Sequence, residues 1–148
     1  MAGERSFAKL NAKRADLEWA LEDRLKDAEA LFKARRYASS IAMGLYALEI
    51  GLKIAICRRL DLDALPAAFE IHDIQGLVVL AGLQRRLHDP ASASIKVNWD
   101  ALAAFGVGHV NDLRYLPSGL WSRAQARDVL DRLQAPPDGV LPWITARL

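Results

Sequence analysis

The segment YASSIAMGLYALEIGLKIAICRR, residues 37–59, decides the fold of this chain. Its interior is apolar and helix-compatible apart from Glu49 and Lys53. On a helical wheel Ile41, Leu45, Leu48, Leu52 and Ile56 form one bulky face, while Ser40, Gly44, Ala47, Gly51 and Ala55 form a narrow stripe of small residues. Met43, Ile50 and Ile54 make a third apolar side. A helix that is hydrophobic nearly all round has to be buried, so this one is expected at the centre of the molecule. Each of the two glycines weakens an isolated helix by about 1 kcal/mol relative to alanine, so they mark places where a neighbour packs closely. Glu49 and Lys53 stand one turn apart with the acid first, which suits an i,i+4 ion pair. Stranding either charge among Ala42, Leu45, Tyr46 and Ile56 would cost roughly 3–5 kcal/mol, so the helix must border a polar site, a subunit interface, or both. The two charges also interrupt the run short of the roughly 18 uncharged residues that a membrane span needs, and no membrane association is expected.

Working outward, Leu17, Leu21, Leu25, Ala28 and Leu31 or Phe32 recur at steps of three and four, predicting an amphipathic helix from about residue 10 to 35. The basic turn KARRY, with neither Gly nor Pro, joins it tightly to the central helix, and two long helices so joined form an antiparallel hairpin. Ile74, Leu77, Val78 and Ala81 predict a third, shorter helix that ends with Arg85 and Arg86 before a halt at Pro90. ASASIKV then reads as a loop. Trp99, Leu102, Val110 and Leu113 resume helical spacing, with Gly106 and Gly108 as points of breakage or bending. Ser122 with Gln125 forms a capping-box pattern for a helix to about Leu133, closed by Pro136, Pro137, Asp138 and Gly139. In the tail, Trp143, Ile144 and Leu148 are placed to pack on the bundle. No repeat and no alternating strand pattern is found. The expected fold is all-α, an up-and-down helical bundle of about five helices in a single domain spanning residues 1–148.

With 148 residues and 52% hydrophobic composition, one core suffices for independent stability. The net charge of +2 is too small to imply nucleic-acid binding from bulk electrostatics, so a basic site must be local. The lone Cys57 allows no internal disulfide and suits a reducing compartment. No secretory signal pattern is read at the N-terminus. A cytoplasmic location is expected.

Neither GxxxxGK[ST] nor GxGxxG occurs, and there is no GxSxG. His72, His88 and His109 are scattered rather than set at ligand spacing, so neither a metal nor a cofactor is expected. Cys57, on the buried helix, reads as a small core residue. Three dyads, Arg35/Arg36, Arg58/Arg59 and Arg85/Arg86, stand near predicted helix ends, where they complement the helix dipole unless two or more converge on phosphate. HVNDLRYL gathers His109, Asn111, Asp112, Arg114 and Tyr115, a set of donors, an acceptor and a ring suited to phosphate, base or carboxylate. His72 is a further candidate, and Asp73 reads as a helix cap.

The order LFKARRYASSIAMGLYALEIGLK, FEIHDIQGLVVLAGL, and NDLRY before a final helix resembles the HEPN domain family, the nucleotide-binding domains of higher eukaryotes and prokaryotes, over roughly residues 15 to 135. The resemblance implies a small helical bundle that forms a homodimer. It also implies either a ribonuclease toxin paired with a nucleotidyltransferase-type antitoxin, or a non-catalytic binder of nucleotide, RNA or protein. Glu49 and Lys53 match charged positions of the family's second helix, and Arg114-Tyr115 its arginine-aromatic step. Catalytic members place a histidine shortly after an arginine, whereas here Arg114 is followed by YLPSGLW. The ligand-binding candidates are thus Glu49, Lys53, His72, His109, Asp112, Arg114 and Tyr115, with no catalytic residue assigned. The expected function is non-catalytic binding of a nucleotide, RNA or a protein partner. The alternative is a metal-independent ribonuclease toxin using Arg114 on phosphate and His109 or His72 for proton transfer. A third reading has the Gly44/Gly51 stripe cover a helix of another protein.

Overall fold

A computed structural model describes residues 10–105, 113, 115, 117 and 119–146. The architecture is an all-α bundle. Among the described residues there are seven α-helices: α1 (Arg14–Lys33), α2 (Tyr37–Arg59), α3 (Ile74–Leu80), α4 (Gln84–Leu87), α5 (Ala93–Phe105), α6 (Arg123–Gln134) and α7 (Val140–Thr145).

α2 is the centre. It packs against α1, α3, α6 and α7, and from Ile41 to Cys57 its residues other than Met43, Tyr46 and Ile50 are buried. It is also long and apolar enough to cross a membrane, yet 83% of its most apolar window is covered by the rest of the chain. α1 and α2 form the expected hairpin, and the Ser40 hydroxyl donates to the Ala28 carbonyl across it at 2.7 Å. The glycine stripe is filled from within. A Cβ on Gly44 would stand 2.9 Å from Leu133 Cδ1, and one on Gly51 would stand 2.8 Å from Leu141 Cδ2. α6 and α7 therefore occupy the surface that the third sequence reading offered to another protein, and that reading is corrected.

Three helices end in the same way. After α1, Arg36 N–H reaches Leu31 O and Arg35 N–H reaches Phe32 O; after α2, Leu62 reaches Cys57 O and Asp61 reaches Arg58 O; after α3, Leu83 reaches Val78 O and Gly82 reaches Val79 O. This is the Schellman pattern, which needs a left-handed residue just past the helix end. Arg35, Asp61 and Gly82 supply it, with φ of 62°, 53° and 74°.

Three expectations on secondary structure change. The single third helix is broken in two, because Gly82 closes α3 before α4 begins. ASASIKV is not a loop: Asp89 Oδ1 accepts from Ala91 N–H, Pro90 opens a 3-10 turn, and α5 runs on from Ala93. Pro90 starts helical structure rather than stopping it, since proline's missing N–H is harmless in a first turn. A small antiparallel sheet also forms, pairing β1 (Leu10–Lys13) with β2 (Ala64–Pro66). Other expectations match. Trp99 and Leu102 are buried on α5, Trp143 and Ile144 on α7, and the Ser122/Gln125 capping box is closed by both of its hydrogen bonds. Gly106, Gly108, Val110 and Leu148 lie outside the described residues.

Candidate functional site

The apolar packing of α2 holds Glu49 and Lys53 at 4% and 9% exposure, so both charges have left water. They meet as the i,i+4 spacing predicts, with Lys53 Nζ 3.3 Å from Glu49 Oε1. The same oxygen receives His72 Nδ1 at 2.5 Å. His72 comes from the segment between β2 and α3 and is set by its neighbour: Asp73 caps α3, its Oδ1 accepting from Gln75 N–H at 3.0 Å. The residue before that cap, His72, reaches Glu49 on α2. Two groups, one a helical turn away and the other 23 residues on in sequence, thus share one carboxylate.

A carboxylate accepts and cannot donate, so in the neutral ring Nδ1 carries the proton toward Glu49 and Nε2 keeps its lone pair. With a side chain 35% exposed, His72 links the buried pair to the surface. A buried acid that fixes the tautomer and direction of an imidazole is the orienting half of an acid/base device. It is equally a structural solution for Lys53, whose ammonium has Glu49 as its hydrogen-bond and ion-pair partner.

Of the other sequence candidates, Tyr115 is 72% exposed, beyond a buried Leu113. His109, Asp112 and Arg114 lie outside the described residues. His88 is engaged locally, its Nε2 2.9 Å from the Gln84 amide. Cys57 is fully buried, and burial pushes its thiol up from the ordinary value, with Arg14 pulling the other way less strongly. Among the described residues, no group of three or more His, Cys, Asp and Glu side chains is arranged to hold a metal ion.

Two of the arginine dyads do meet. Arg58, Arg59 and Arg86 line a cavity of about 270 Å³ with Ala55, Ala81, Gly82 and Leu83. Arg58 is neutralised there by Glu18 at 2.8 Å, and Arg59 donates to the Leu80 carbonyl, tying down the end of α3. These contacts favour the helix-end role over phosphate capture. The Arg35/Arg36 dyad lies at the opposite end of α2, about 33 Å away at 1.5 Å per residue. It opens on a second basic pocket, lined in part by Arg123, which is missing from the sequence candidates. The signal for it was the turn KARRY, where arginine stands at the place a helix end usually gives to glycine.

No protein-family model, curated protein or solved structure matches the chain.

Proposed function

We propose that this chain is a HEPN-like, cytoplasmic, homodimeric module that binds a phosphate-bearing ligand, a nucleotide or RNA, without cleaving it. The observation that supports this reading is the convergence of Lys53 and His72 on Glu49 at the edge of an apolar core. An isolated ion pair could serve packing alone, but a half-exposed histidine wired to a buried acid and a buried cation gives the bundle a polar face with a fixed hydrogen-bonding pattern. In this reading Arg114 would hold phosphate and Tyr115 would stack on a base. The sequence motif supports non-catalytic binding, because no histidine follows Arg114 in the stretch to Trp121. Binding of RNA or a mononucleotide by the wild type that is lost in His72→Ala and Arg114→Ala, with melting temperatures retained, is the expected result. Unchanged affinity in both variants would sink the assignment.

One observation favours a second reading, a metal-independent ribonuclease acting with a nucleotidyltransferase-type antitoxin. Glu49 holds His72 Nδ1, so Nε2 could take the proton of a ribose 2′-hydroxyl as its oxygen attacks the adjacent phosphorus and the 5′-oxygen leaves. Arg114 would stabilise the phosphate charge. Cleavage of cellular RNA by the purified protein, abolished in His72→Ala and in Arg114→Ala, would put this reading first.

A further inference from the structure

We infer that the pocket at the α1–α2 turn is a binding site for the phosphate of a nucleotide. The inference rests on the reading that the ligand carries phosphate, and it places that phosphate on residues of its own. Phe32, Lys33, Arg35, Tyr37 and Arg123 line an open pocket of about 550 Å³. Among the described residues its wall holds three cations and no acid, in a chain whose charges otherwise nearly balance at 20 basic and 18 acidic residues.

Among the described residues the three cations are uncompensated. Elsewhere on the bundle Arg14, Arg24, Arg58, Arg127 and Arg132 each meet a carboxylate. Lys33, Arg35 and Arg123 have no carboxylate partner among the described residues; Arg123 lies instead over the Phe32 ring, 5.2 Å from its centroid. The far side of this arrangement is locked: Arg127 sits 4.9 Å from the same centroid and is tied to Glu29 at 3.2 Å. Like charges gathered without a counter-charge repel one another, and an anion placed among them removes that repulsion.

A second observation concerns the backbone. Arg35 adopts φ of 62°, the left-handed conformation that Gly82 supplies at the matching position after α3. A bulky residue there is strained, and such outliers collect where a side chain must be held in place for a purpose. Here the strained residue is one of the three cations. Tyr37, edge-on to Phe32 with centroids 5.7 Å apart, adds an aromatic wall, and the volume lies within the range of about 300–1,000 Å³ typical of small-molecule sites. Guanidinium groups recognise phosphate through paired hydrogen bonds, and an aromatic ring beside them takes the base. Free nucleotide and single-stranded RNA both offer that chemistry.

The test measures binding of adenosine monophosphate, inorganic phosphate and a short single-stranded RNA to the wild type and to Arg35→Gly, Lys33→Gln and Arg123→Gln. Each variant should weaken binding about tenfold, the loss of one charge-assisted phosphate contact. Arg35→Gly is the decisive one, because glycine relieves the left-handed strain: its melting temperature should rise while its affinity falls, so lost binding is not lost folding. RNA as the source would show as a salt dependence whose log-log slope drops by about 0.7 per cation removed, and mononucleotide as the source would show as tight binding of the monophosphate alone. Wild-type binding that all three variants retain overturns this inference and leaves the Glu49 site standing. Loss in these variants with full binding by His72→Ala and Arg114→Ala supports the pocket and removes the other site. A wild type that binds none of the three probes overturns both.

Discussion

Glu49 accepts from two cationic or potentially cationic donors on one oxygen while 4% exposed, so removing it leaves Lys53 without the partner that lets an ammonium stay buried. Glu49→Leu should cost about 3–5 kcal/mol, since an uncompensated buried charge is far more harmful than a missing ion pair. Adding Lys53→Met removes the stranded charge and should restore most of that loss, because apolar replacements of a buried pair are often neutral. Urea denaturation of the two single variants and the double variant reads the coupling directly, and a double variant as unstable as Glu49→Leu alone would show that the pair does not govern the site. At the same scale, Arg35 carries a backbone cost of roughly 1–2 kcal/mol for its left-handed conformation. Asp61 occupies the matching position after α2, where a short polar side chain tolerates the geometry better.

At the scale of elements, the two glycines of α2 look alike in sequence and differ in what they face. A Cβ at Gly44 meets Leu133 at 2.9 Å and Leu130 at 3.3 Å, both side chains fully buried within α6. Among the described residues, a Cβ at Gly51 meets only Leu141 within 4 Å, on the six-residue α7 near the chain end. Alanine gains about 1 kcal/mol of helix propensity at either position. Overpacking costs about 1–3 kcal/mol where neighbours cannot yield, so Gly44→Ala should be destabilising by about 1 kcal/mol and Gly51→Ala near neutral. Thermal melts of the two variants check the order, and equal shifts would mean that α6 is no firmer than α7. The identity of α2 was readable because a helix apolar nearly all round has to be covered, and Glu49 and Lys53 in its middle argue for protein rather than lipid as the cover. The break at Gly82 and the start at Pro90 were not, because glycine and proline each punctuate a helix in two ways, and the deciding hydrogen bonds, such as Asp89 to Ala91, depend on the turn that forms around them.

For the whole molecule, α2 orders both the core and the polar sites: its middle holds Glu49 and Lys53, and its two ends open on separate basic cavities. The middle was readable from charge spacing within one helix. His72's place beside it and Arg123's beside Arg35 were not, since both depend on how distant segments pack. The same centrality fixes the behaviour of Cys57, fully buried on α2. Uncovering the thiol means uncovering α2, and with it the core, so a thiol reagent should label Cys57 only through global unfolding. Ionisation follows the same logic. Burial raises the folded thiol above its ordinary value of 9.0, so the folded state keeps a proton that the unfolded state loses as pH rises past that value. The unfolded state then binds fewer protons, and stability falls with pH in that window, whereas below it this group contributes no slope. Urea unfolding of wild type and Cys57→Ala from neutral pH upward isolates the effect: the wild type should lose stability relative to the variant once pH passes about 9.0. A constant difference between the two across that range, or labelling of the native protein at the rate of a free thiol, would mean that α2 is not the closed centre of the bundle.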